Sequence, residues 1–155
     1  MSIFLVAFST WLHVLATILM VGYFPFTSLF YLPVLEGQMQ ADTLRNMLKQ
    51  VSARLRPYFG SALFVFLVTG IYLMLINKSY LGLGHFFSNP WSTLIVIKHG
   101  LVFGFLALAV YSERAYLGQI SDQNPLALKR FRSCLNINLV LGVLIVLLTS
   151  IAQAG

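Results

Sequence analysis

Four long apolar runs leave this chain little choice of fold. They cover residues 3 to about 35, 58–76, 91–111 and 134–152. The last three are each close to the ~20 residues that a helix needs to cross a hydrocarbon core. Backbone amides in lipid must be satisfied within the segment itself, so runs of this kind fold as helices. The chain is 59% hydrophobic and 9% charged over its 155 residues, against the ~25% charged residues of soluble domains. These features predict an all-α integral membrane protein: a four-helix bundle in one transmembrane domain, residues 1–155, with spans near 3–33, 58–76, 91–111 and 134–152. No length is left over for a soluble lobe.

The first run is longer than a span requires, and Pro25 and Pro33 are expected to kink and end it. Met1 and Ser2 carry no basic side chain and no small-residue cleavage site follows, so no removable signal peptide is expected. Arg45, Lys49, Arg54 and Arg56 lie between the first and second runs, and Arg114, Lys129, Arg130 and Arg132 between the third and fourth. Short basic loops stay in the cytoplasm, which predicts a multi-pass protein of the inner (cytoplasmic) membrane with both termini on the outer, periplasmic side. The net charge of +6 then reports contact with the anionic headgroups of the lipid bilayer. No basic motif interleaved with aromatics argues for a nucleic-acid partner. Between the first two spans, Leu44, Met47, Leu48, Val51 and Leu55 recur at helical spacing behind Asp42, a suitable N-cap. This pattern predicts a short interfacial amphipathic helix, with Pro57 marking a kink where the chain enters the membrane. Asn89-Pro90 is a turn signal before Trp91, and Trp91 with Tyr80 fits an outer aromatic belt.

Against this background, Lys98 and His99 stand out inside the third run. A lysine at the centre of a membrane helix costs ~2.5–3.5 kcal/mol and needs a partner or a route to water. The four carboxylates, Glu36, Asp42, Glu113 and Asp122, all fall in the loops assigned to the cytoplasm. Counting from Trp91 puts Lys98 about 10 Å below the outer interface, where no acid is expected. The ammonium must snorkel to lipid phosphate, sit in a wet cavity, or meet the negative group of a bound ligand such as a haem propionate or a quinone oxygen.

A second membrane histidine, His13, lies in the first run on a small, partly polar stripe with Ser9, Thr10, Ala16, Thr17 and Met20. Its depth of roughly 3–15 Å overlaps the ~12 Å of His99. Two neutral imidazoles on different helices at one depth suit axial ligation of haem b, with Lys98 near the propionates or serving as an alternative ligand. Gly100 and Gly104 form a GxxxG that lets another backbone or a flat ligand come close, and Thr17 borders His13. The alternative is that each histidine hydrogen-bonds to Ser, Thr or backbone between helices; Thr69, Asn136 and Asn138 are expected to bond in that way. A copper site would recruit the soft ligands Met20 and Met74 beside His13 and His99. Covalent haem is excluded, because the single cysteine, Cys134, sits in no CxxCH motif. That thiol is expected to be a packed core group. Soluble-enzyme motifs are absent: there is no phosphate loop, no HExxH and no nucleophile elbow.

Three segments, WLHVLATILMVGYFPF, SARLRPYFGSALFVFLVTGIYLML and NPWSTLIVIKHGLVFGFLALAVYSERAYL, resemble in order the first three helices of the copper resistance D (CopD) family. The resemblance rests on His13, Gly22, Thr69, Gly70, Trp91, Lys98 and Arg114. The chain is also similar to the HemJ-type protoporphyrinogen oxidases, and that resemblance implies haem b with His13 and Lys98 facing the ligand. His99 beside Lys98 belongs to neither pattern. The favoured expectation is therefore a haem b-binding redox protein, transferring electrons in a haem- or quinone-linked oxidoreductase chemistry. Two alternatives stay open. One is copper transport or resistance across the inner membrane, and the other is a small structural subunit, in a homo-oligomer or a larger respiratory or oxidase complex.

Overall fold

The computed structural model describes residues 2–82, 84, 85 and 87–154. Helix α1 spans Ile3–Pro25 and runs through a wide π-helical turn, Phe26–Tyr31, into the short α2, Leu32–Glu36. Helix α3 spans Ala41–Ile76, α4 Pro90–Ala115 and α5 Pro125–Ala154. Four helical stretches, Ile3–Glu36, Ala41–Ile76, Pro90–Gln119 and Pro125–Ala152, are long and apolar enough to cross a membrane. The chain is a multi-pass, all-helical membrane protein.

The prolines shape the first stretch without ending it. Pro25 offers no N–H to the turn before it, and the helix widens directly afterwards until the N–H of Leu32 reaches back to the carbonyl of Thr27. Pro33 then falls in the first turn of α2, where a missing N–H costs little. The amphipathic stretch after residue 40 is helical, as its periodicity predicts, but it differs from a separate interfacial helix. It continues through Pro57 into the second span as one 36-residue helix. Leu44 and Leu48 explain why: both are buried within the protein's own core instead of lying in lipid headgroups. At 1.5 Å per residue α3 is about 54 Å long, so its first turns project beyond a hydrocarbon core ~30 Å thick. Gln40 and not Asp42 takes the N-cap position; Asp42 instead pairs with Arg45 at 2.8 Å in the first turn. Helix α5 likewise starts earlier than its apolar run, so Lys129, Arg130 and Arg132 sit on its first turns.

Helix α1 packs against α3 and α5, and α4 against α5, while α3 and α4 make no close backbone approach. The spatial order is thus α3–α1–α5–α4, and the two outer members reach each other through side chains at Glu113. Between lipid-like surfaces the driving force is close packing and interhelical hydrogen bonding, and small residues permit it. Gly142 is the clearest case. A Cβ there would lie 2.6 Å from Val21 Cγ1, so α1 and α5 can meet only over a glycine. Around that contact Met20, Phe24, Phe105, Leu135 and Ile145 form the core, with the rings of Phe24 and Phe105 edge to face at 4.7 Å. Ser28 donates to Asn136 between the π-helical turn and α5, whereas Asn138 is fully buried with no side-chain partner among the described residues. Cys134 is a free, buried thiol.

Candidate functional site

The gap between α3 and α4 holds a cavity of about 640 Å³, and its wall draws on all four long helices: His13 on α1, Phe66 and Met74 on α3, Lys98 and His99 on α4, and Thr149 on α5. Asn77, Lys78, Ser79 and Trp91 line it near the loop that joins α3 to α4. Asn89 sets this end of the site. Its Oδ1 accepts from the Ser92 amide at 2.7 Å and so caps α4, and its Nδ2 donates to the Ser79 carbonyl at 2.9 Å. The pre-set φ of Pro90 at the first helical position completes the start of α4.

The two histidines are held in the same chemical state. Thr69 Oγ1 donates its single proton to the Val65 carbonyl at 2.6 Å, one turn back on its own helix. His13 Nδ1 lies 3.0 Å from the same hydroxyl; with the Thr69 proton on the Val65 carbonyl, the imidazole donates and the hydroxyl accepts. His99 Nδ1 lies 2.7 Å from the Ile95 carbonyl, which can only accept, so this ring also carries its proton on Nδ1. In both rings the engaged atom is Nδ1, and neither Nε2 has a partner among the described residues. A second ring nitrogen fixed by a hydroxyl or a carbonyl is the arrangement that prepares a histidine to bind a metal.

His13 is further clamped by neighbours that no simple motif announces. The Phe66 ring stacks on it at 4.4 Å. Gly70 lets α3 come so near that a Cβ there would sit 3.0 Å from His13 Cε1. Phe66, Thr69 and Gly70 follow one another at intervals of three and one, so one face of α3 orients the imidazole. The adjacent small pair Thr69-Gly70 was the one visible signal of this close approach.

Lys98 is 9% exposed and has no hydrogen-bond or ion-pair partner among the described residues. Every ion pair among them lies at the far end of the bundle, where Glu36, Asp42 and Glu113 meet Arg132, Arg45 and Arg56. Asp122 is there too, accepting weakly from the Ala41 amide at 3.4 Å.

The structure brings His13, Lys98, His99 and Met74 to one cavity and leaves the other candidate residues apart from it. Met20 is 4% exposed and packs in the core. The Thr17 hydroxyl donates to the His13 carbonyl at 2.8 Å, supporting the backbone and not the imidazole. Gly100 and Gly104 are exposed on the outer face of α4, with nothing within 4 Å of the position a Cβ would take. Their periodicity places them together, but away from the cavity wall. No cluster of three or more His, Cys, Asp or Glu that could hold a metal occurs among the described residues, so a metal here would rely on the two histidines with Met74 or a ligand of its own. His85 is exposed in the loop, 3.3 Å from Ser88 Oγ.

No curated protein and no solved structure is detectably similar to the chain. A family description does match: copper resistance protein D, over residues 49–152. The matched stretch takes in the Met74, Lys98 and His99 wall of the cavity and leaves out α1 with His13. It covers about two thirds of the chain, and the chain accordingly belongs to the copper resistance protein D family.

Proposed function

We propose that this protein handles copper in the membrane, taking the ion from the outer side into the cavity between α3 and α4. The observation that carries this reading is the shared state of His13 and His99, whose Nε2 atoms both lack a partner among the described residues beside one cavity. Imidazole nitrogen and the thioether of Met74 are a donor set that suits copper. Copper is here the cargo, and the basic loops at the opposite end of the bundle support a cavity that opens toward the periplasmic side of the inner membrane. Family membership supports copper as the metal, through residues that include Met74 and His99.

A second reading rests on Lys98. An ammonium without a carboxylate, lining a cavity of about 640 Å³, favours a ligand that brings its own negative charge. Haem b would be such a ligand: His13 and His99 would hold the iron and Lys98 a propionate. When bound, haem supplies one-electron transfer, to which a quinone partner would be the natural complement. The chain's residues would then orient the group, exclude water and balance its charge.

One experiment separates the two. The detergent-purified protein is analysed for metal and its optical spectrum recorded, oxidised and reduced, beside His13→Ala and His99→Ala. Bound copper that falls more than 100-fold in affinity in both variants supports copper handling, since even outer-shell losses cost ~10–100-fold. A Soret band with sharp reduced α and β bands, lost in both variants, gives the site to haem. A colourless, metal-free protein after supplementation with each would overturn both and leave a structural subunit.

A further inference from the structure

A second opening lies on the lipid-facing side of the molecule, between α1 and α3 and toward the basic end. It is a groove of about 570 Å³, walled by Ile18, Gly22, Tyr31, Val51, Leu55 and Tyr58 among others. From Val51 to Ala62 it follows α3 for about 16 Å, from the basic end toward the middle of the bundle. Gly22 makes the groove deep, with nothing within 4 Å of where its Cβ would be. Tyr31 stands at its basic end, at the level where amphipathic rings gather at a membrane interface, and Tyr58 lines it about 10 Å further in along α3. The length and apolar lining of the groove match an extended hydrocarbon chain.

Charge decides what kind of chain. Arg54 is exposed and lies on the same stripe of α3 as Val51 and Tyr58, three residues from one and four from the other. Helical side chains lean toward the N-terminus of their helix, so Arg54 reaches outward past the mouth of the groove. Arg45, Arg56 and Arg132 each pair with a carboxylate, whereas Arg54 has no partner among the described residues. We propose that the groove binds one acyl chain of an anionic phospholipid whose phosphate pairs with Arg54. This inference is independent of what the cavity between α3 and α4 holds.

The test uses the whole protein, loaded in micelles with equal amounts of phosphatidylglycerol and phosphatidylcholine, washed in detergent, and analysed for retained lipid by native mass spectrometry. Wild type is expected to keep phosphatidylglycerol in preference. Arg54→Gln should lower that preference about fivefold, the worth of one basic residue at an anionic surface. Gly22→Leu, whose Cβ meets nothing within 4 Å and whose side chain would occupy the groove, should abolish retention while the helical circular dichroism is unchanged. Equal retention of the two lipids by wild type would overturn the proposal. So would an unchanged preference in Arg54→Gln, a dimer that Gly22→Leu dissolves, or recovery of an isoprenoid quinone in place of phospholipid. Should Gly22→Leu fail to fold, Arg54→Gln alone still decides the matter.

Discussion

The two ends of the bundle are built on opposite principles. At the basic end Glu113 accepts from Ser52 at 2.7 Å and from Arg56 at 2.6 Å, tying α4 to α3. Glu36 accepts from Arg132 at 3.1 Å, tying α2 to α5, and Arg45 donates to the Ile120 carbonyl at 3.2 Å. At the other end α3 and α4 stand apart around a cavity, and neither Lys98 nor Lys78 has a carboxylate among the described residues. All four carboxylates of the chain are at the clamped end, so no acid of the protein faces Lys98 in the cavity. The contrast teaches that helix pairing and ligand binding are assigned to different ends. One end spends its acids on holding helices together, and the other leaves polar groups uncommitted for an occupant.

Lys98→Met tests the contrast most severely. Removing a cation that nothing in the protein balances should raise resistance to unfolding by up to ~3 kcal/mol, measured by denaturant titration in micelles. The same change should strengthen the binding of free copper ions, because it removes a like charge from the cavity, and weaken haem. Unchanged stability would mean that the ammonium is already compensated, and the two ends would no longer differ in kind. Thr69→Val keeps the shape of the side chain and deletes the acceptor of the His13 Nδ1 proton. Copper titration followed calorimetrically should show affinity lower by ~10–100-fold, with little change in the unfolding midpoint. An unaffected affinity would detach the tautomer of His13 from function. Glu113→Gln acts at the clamped end, where the Arg56 side chain is 72% exposed. Screened pairs of this sort contribute little, so the loss should stay below ~1 kcal/mol in the same unfolding measurement, with copper affinity unmoved. A larger loss would show that the clamp, and not core packing, holds α3 to the rest of the bundle.

Much of this was legible in the sequence because the solvent imposed it. A run such as 134–152 has few ways to satisfy its amides in lipid, and it became the outer part of α5. Two basic loops placed all four acids and most of the basic residues at one end, away from Lys78 and Lys98. Helix ends were harder to read. Lys129 and Arg130 look like loop residues by hydropathy, yet α5 begins at Pro125, since nothing prevents a helix from continuing out of the hydrocarbon into the headgroup layer. Pro25 and Pro57 looked like breaks, but each costs only local hydrogen bonding, which a wide turn or a neighbouring packed face offsets.

The site divides along the same line. Helical periodicity and a count of 1.5 Å per residue brought His13 and His99 to overlapping depths, because rise per residue is a local property of the backbone. Which way each side chain faced was not local. Gly100 and Gly104 shared a stripe near His99, and only the packing of α4 on α5 turned that stripe outward, away from the cavity. Met20 and Met74 were equivalent in sequence; one went into the core and the other onto the cavity wall. The sequence by itself determined a membrane bundle of four helices with its acids at one end, through hydropathy and charge. Only the tertiary structure decided that α3 and α4 part, that Thr69 meets the His13 imidazole, and that Lys98 faces the resulting cavity. Those outcomes depend on how helices rotate against one another, which no single helix encodes.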